Sequence, residues 1–122
     1  MKKDLNSTNS TFCSAPYVAS YIGMQGEFMP CCIFNYESRL STYSGDDNLL
    51  DHMNSPAAVQ LRKDLHNGVR VKACNHCWEL EDKGLGSLRY HFNRSYAYDE
   101  VVKATNANNF FIPDLKLRYI DI

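Results

Sequence analysis

The chain has 122 residues, with 13 Lys+Arg against 14 Asp+Glu and a formal net charge of -1, which is room for one small domain and too little for two well-buried ones. Its 44% hydrophobic and 22% charged residues exclude a disordered or fibrous composition, and the balanced charge offers no basic face for nucleic acid. No apolar run reaches transmembrane length, and no apolar segment of a signal peptide follows the two lysines after Met1, so the expectation is a soluble, cytoplasmic protein without membrane or nucleic-acid partners.

In chain order, residues 1–11 (MKKDLNSTNST) read as a disordered polar leader. Cys13-Ser14-Ala15-Pro16 is a fixed extended or turn segment. Tyr17 to Ile22 is β-branched and aromatic, Gly23-Met24-Gln25-Gly26 is a turn, and Glu27 to Phe34 is apolar again, which predicts a β-hairpin. Pro30 marks an early end to its pairing. Residues 35–47 read as loop, and residues 48–53 as one short helical turn. The clearest helix signal begins at Ser55, a good N-cap followed by Pro56, and ends at Gly68. Ala58, Leu61 and Leu65 form its apolar face, and Gln60, Arg62, Lys63 and Asp64 are expected in water.

Val69 to Lys72 is extended, Trp78 to Lys83 is a helical turn closed by Gly84, and Ser87 caps a short helix through Phe92. Residues 96–109 read as loop, apart from a brief Val101-Val102 segment. The last eight residues, LKLRYIDI, alternate as a strand does, and their position at the very end suggests an incomplete domain. N-x-[ST] triplets starting at Asn6, Asn9 and Asn93 are read only as polar, exposed stretches.

Five cysteines, at 13, 31, 32, 74 and 77, stand out. In a reducing compartment they point to metal binding, and the odd count argues against a disulfide framework. Cys74-Asn75-His76-Cys77 is a C-x2-C step whose turn can aim two thiolates at one metal or cluster. Cys13 and Cys31 bracket the hairpin, which would bring them together opposite that step. Cys31 and Cys32 cannot both serve one site from a strand, because consecutive side chains point to opposite faces; spacing alone leaves the choice open. Four thiolates suit either a [4Fe–4S] cluster or one zinc ion. His76 is expected to face solvent, His52, His66 and His91 to lie on the surface, Trp78 to shield the site, and Glu81 to pair with Arg89.

The combination Cys13-x2-Pro16, Gly26-x4-Cys31 and Cys74-x2-Cys77, followed by Glu81-x2-Gly84-x2-Ser87-x-Arg89, resembles the SPASM/twitch auxiliary iron–sulfur domains of radical SAM proteins. The G-x4-C element of that resemblance selects Cys31, with Cys32 as the alternative. The resemblance implies one [4Fe–4S] cluster on Cys13, Cys31, Cys74 and Cys77 within residues 12–94. Residues 95–122 are then a connector and the first strand of a missing or truncated radical SAM barrel. The motif C-x3-C-x2-C is absent from the sequence, so the chain is not expected to be catalytic alone.

The fold class expected is therefore α+β: a small metal-centred domain with one β-hairpin and two or three short helices. Its implied role is electron transfer or substrate positioning for a radical SAM core in cis or in trans, acting on a peptide or other macromolecule. The alternative is a zinc-stabilised interaction module without redox activity.

Overall fold

A computed structural model describes residues 11–94 and 98–113. The leader, apart from Thr11, and the alternating segment 115–122 lie outside the described residues. Three short antiparallel strands and six helices are present among the described residues, so the α+β class holds, with more helix than the two or three segments expected.

The hairpin forms where the glycines predict it. β1 (Tyr21–Ile22) pairs with β2 (Glu27–Met29), setting Tyr21 opposite Met29 and Ile22 opposite Phe28. Gly23 N–H donates to Glu27 O at 2.9 Å and closes the turn. Gly26 has φ +86, and a Cβ there would lie 2.4 Å from Tyr43 O, so both conformation and space demand glycine. Pairing stops at Pro30, as expected. A third strand that the loop reading missed, β3 (Ser41–Thr42), joins the other edge of β2. It is two residues long and carries no alternation to reveal it.

Tyr17 belongs not to a strand but to a single helical turn, α1 (Ala15–Val18), with Pro16 in its first turn. α2 (Leu49–Met53) is capped by Asn48. α3 (Pro56–His66) begins at Ser55, whose hydroxyl accepts from Ala58 N–H at 3.3 Å. It ends before Gly68, whose φ of +88 supplies the left-handed C′ position. α4 (Asn75–Asp82) starts immediately after Cys74, and α5 (Leu88–Phe92) is capped by Ser87.

The stretch read as loop after residue 95 contains α6 (Tyr98–Asn106). Tyr98, Val101 and Thr105 fall three and four residues apart on its buried face. Tyr98 and Val101 pack with Phe12 and Tyr17, and Tyr17 Oη donates to Thr105 Oγ1 at 2.9 Å. Nine residues with one narrow apolar stripe give little signal until that partner surface exists.

Arg62 corrects the expectation of a solvated face. It is 2% exposed, lies on the same stripe as Ala58, Leu61 and Leu65, and donates to Pro16 O, Phe110 O and Met53 O. The main core gathers Met29, Phe34, Leu61, Leu65, Ala73, Cys77 and Trp78. That core underlies the hairpin on one side and α4 on the other, and Cys13, Cys31 and Cys74 pack against it.

Candidate metal centre

Each of the four spaced cysteines sits where the chain turns. Cys13 lies between buried Phe12 and α1. Cys31 follows β2 and opens a turn in which Phe34 N–H reaches Cys31 O at 3.4 Å. The next residue ties this turn to the second half of the site, since Asn35 N–H donates to Ala73 O at 3.0 Å. Cys74 ends a 3-10 turn over Lys72–Cys74, and Cys77 lies in the first turn of α4. The C-x2-C step thus spans a 3-10 to α junction, which holds both thiols near one helix start.

Cys13, Cys31, Cys74 and Cys77 line one cavity, walled mainly by apolar side chains that include Pro30, Ile33, Leu65 and Trp78. All five cysteines are free thiols. Cys32 is exposed and is not among the residues lining the cavity. His76 is exposed, as expected for a ring between two inward thiols. His91 is exposed too, but His52 and His66 are partly buried. His52 bridges Ser41 Oγ (2.6 Å) and Asp47 Oδ2 (2.8 Å), while His66 Nδ1 lies 3.1 Å from Thr105 Oγ1.

The thiols sense one another. Burial pushes the Cys13 thiol far up, a backbone hydrogen bond from Ala15 opposes this, and the charges of Cys74, Cys31 and Cys77 add to it. Burial and the charges of Cys31 and Cys77 push Cys74 up to about 12. Cys31 is raised first by burial, with backbone hydrogen bonds from Ile33 and Phe34 acting in the opposite direction. In the metal-free chain these groups are therefore neutral thiols at pH 7. Deprotonating them together to ligate would gather negative charge in one cavity, which a bound cation or cluster offsets. Backbone N–H groups directed at Cys13 and Cys31 are the kind of donor that stabilises a ligating sulfur.

No group of three or more His, Cys, Asp or Glu among the described residues is drawn together as it would be around a single metal ion. Cys13, Cys31, Cys74 and Cys77 are nevertheless among the lining of one cavity. The donor set fits an iron–sulfur cluster: four sulfurs, an apolar wall and backbone amides turned toward them.

Trp78 is 3% exposed and donates from Nε1 to Val71 O at 2.8 Å, packing the cavity wall as expected. The guanidinium carbons of Arg70 and Arg89 lie 5.6 and 5.9 Å from its ring centroid. Arg70 is half exposed and pairs with Asp82. Arg89 is buried and pairs with the partly exposed Glu81, so the expected Glu81–Arg89 contact forms.

Two contributors were not evident in the sequence. Ser14 is fully buried and donates from Oγ to Phe92 O at 2.9 Å. Asn93, read as exposed from its N-x-S triplet, is 3% exposed and bonds the backbone on both sides of Cys13. Its position one turn beyond Arg89 is the one sequence cue that could have placed it on the same inner face.

A family model described as SPASM, an iron-sulfur cluster-binding domain, matches residues 13–78, more than half of the chain. No curated protein and no solved structure matches it.

Proposed function

The chain belongs to the SPASM family of iron–sulfur cluster-binding domains, and on that premise we propose that Cys13, Cys31, Cys74 and Cys77 hold one [4Fe–4S] cluster that serves a radical SAM enzyme as its auxiliary centre. The observation that carries this reading is that these four thiols line one cavity, which Cys32, exposed, does not line. A tetrahedral zinc ion, with Zn–S bonds of about 2.3 Å, draws its four sulfurs to roughly 3.8 Å from one another. A cubane takes one thiolate on each of four separate irons; four cysteines match either group, and the family match favours the cubane.

When bound, such a cluster supplies one-electron transfer. The residues of this chain do the rest. Ala15, Ile33 and Phe34 direct amides at ligand sulfurs, and Trp78 with its apolar neighbours keeps water from them. The sequence has no C-x3-C-x2-C, and four ligating cysteines leave no open iron site for S-adenosylmethionine. Cleavage of that cofactor is therefore assigned to a radical SAM core on the same polypeptide or on a separate one. This domain passes electrons or positions a peptide or other macromolecular substrate.

The test is anaerobic loading of the full chain with iron and sulfide, followed by metal analysis and visible spectroscopy. The expected product is brown, with about four irons and four sulfides per chain and little zinc. A colourless product holding about one zinc and no sulfide would replace this reading with a zinc-stabilised interaction module.

A further inference from the structure

We propose that Asn93 is the positioning residue for the Cys13 arm of the site, a role that deepens the cluster reading above and rests on it. Cys13 is the ligand most distant in sequence from the others, and residues 12 and 13 belong to no helix or strand. Backbone pairing therefore does not aim its side chain. Asn93 supplies what is missing. Its Oδ1 accepts from Ser14 N–H at 2.9 Å, and its Nδ2 donates to Phe12 O at 2.8 Å.

These two bonds reproduce a parallel β-bridge. In such a bridge, one residue donates to the carbonyl before its partner and accepts from the amide after it. Here the side-chain amide of Asn93 takes the place of a strand residue opposite Cys13. The polarity of the backbone fixes which end of the amide meets which neighbour. An amide alone carries both the donor and the acceptor in one plane; a carboxylate offers only acceptors.

The surroundings make the clip rigid. Asn93 is 3% exposed, so neither bond competes with bulk water. Arg89 Nη1 donates to the same Phe12 carbonyl at 2.7 Å, and Ser14 Oγ reaches Phe92 O. With residues 12 and 14 both tied to α5 and its end, the Cys13 side chain is held toward the cavity it lines. Asn93 lies beyond residues 13–78, the stretch that carries the family match. The ligand-holding structure thus extends past the last cysteine.

The experiment uses the full chain loaded anaerobically, with Asn93→Leu, Asn93→Asp, Cys13→Ser and the double variant Asn93→Leu/Cys13→Ser. Iron loss to a chelator and the electron paramagnetic resonance spectrum are followed. Asn93→Leu is expected to lose iron about tenfold faster than the wild type, the size of effect seen for other groups that support metal ligands. It should also acquire the spectral signature of Cys13→Ser. Asn93→Asp, which keeps the acceptor for Ser14 and loses the donor to Phe12, falls between. In the Cys13→Ser background, Asn93→Leu should add nothing.

Iron retention at the wild-type rate in both Asn93 variants would overturn the proposal. So would an equal acceleration with and without Cys13, because that marks a general loss of fold. If Asn93→Leu does not fold, Asn93→Asp decides between these outcomes by the same two readouts. A wild-type chain that takes up no cluster defeats the underlying reading and this inference together. A loaded wild type with indifferent Asn93 variants defeats only the inference.

Discussion

Arg89 grips Glu81 through both carboxylate oxygens, from Nε to Oε2 at 2.8 Å and from Nη2 to Oε1 at 2.7 Å, while its third nitrogen donates to Phe12 O at 2.7 Å. One guanidinium therefore joins α4, which carries Cys77, to the segment that carries Cys13. Ser87 Oγ donates to the same carboxylate at 2.6 Å, so a helix cap and an ion pair share one acceptor.

This bridge has a pH signature. Burial pushes the Glu81 carboxyl up, but the hydrogen bonds from Arg89 and Ser87 and the nearby Arg89 charge outweigh it and hold the group below the usual glutamate range. A depressed carboxyl stabilises the fold above its unfolded pKa of about 4.3, and that contribution vanishes as pH falls through the lower folded value. Urea unfolding of the reduced, metal-free chain and of Glu81→Gln should therefore differ by a constant amount above about pH 5 and begin to converge only as pH falls below about 4.3. A difference that persists unchanged at acid pH would mean that the bridge does not titrate with Glu81.

The thiols make a second prediction. In the reduced, metal-free chain, Cys32 is exposed, whereas Cys13, Cys31 and Cys74 line the cavity and are held protonated by burial and by one another's charge. Alkylation depends on access and on the thiolate fraction. Mass spectrometry after a brief iodoacetamide pulse at pH 7 should find Cys32 labelled first. After loading with iron and sulfide, the other four should be protected and Cys32 still reactive. In parallel, serine at position 13, 31, 74 or 77 should lower the iron content and colour of the loaded protein, and Cys32→Ser should leave both intact. Protection of Cys32 with continued labelling of Cys31 would reverse the ligand assignment.

How much of this was legible depended on where the information lies. The hairpin turn needs two glycines at fixed places, the C-x2-C step is four consecutive residues, and Ser55, Pro56 and Gly68 mark the ends of α3 by local chemistry alone. Such features act over a few residues and can be read directly. The gathering of Cys13 and Cys31 with the 74–77 pair could be anticipated because the hairpin is a local device with a long-range consequence. The clip at Asn93 could not, because a polar residue paired with backbone 79 and 81 residues away has no local pattern. α6 and β3 fall between these cases: each forms on a surface that exists only after the rest has folded.

Arg62 is the case in which the pattern was present and the residue type misled. Positions 58, 61, 62 and 65 are spaced as i, i+3, i+4 and i+7, so helical geometry places Arg62 inside the apolar stripe. It goes there because three carbonyls await it: Pro16 O at 2.9 Å, Phe110 O at 2.9 Å and Met53 O. Pro16 and Met53 lie in the last turns of α1 and α2, where helix carbonyls lack an intrahelical partner, and Phe110 lies outside any helix or strand. Its guanidinium also lies over the Tyr17 ring, 5.5 Å from the centroid. Burial lowers its pKa to about 10, against a smaller opposing effect of Tyr17, so it remains a cation at pH 7.

Replacing Arg62 by Met keeps most of the volume and removes every donor. The loss of charged hydrogen bonds and the buried carbonyls left without them should lower the unfolding free energy by about 3 kcal/mol, offset in part by the charge no longer buried. Lysine keeps the charge but has no planar fork to reach three carbonyls in different segments, so Arg62→Lys should recover only a fraction. Urea unfolding of the reduced chain at pH 7 measures both. A stable Met variant would show that the three segments hold together by apolar packing alone. Full recovery with lysine would show that charge, and not the geometry of the fork, is what joins α1, the end of α2 and the segment around Phe110 to α3.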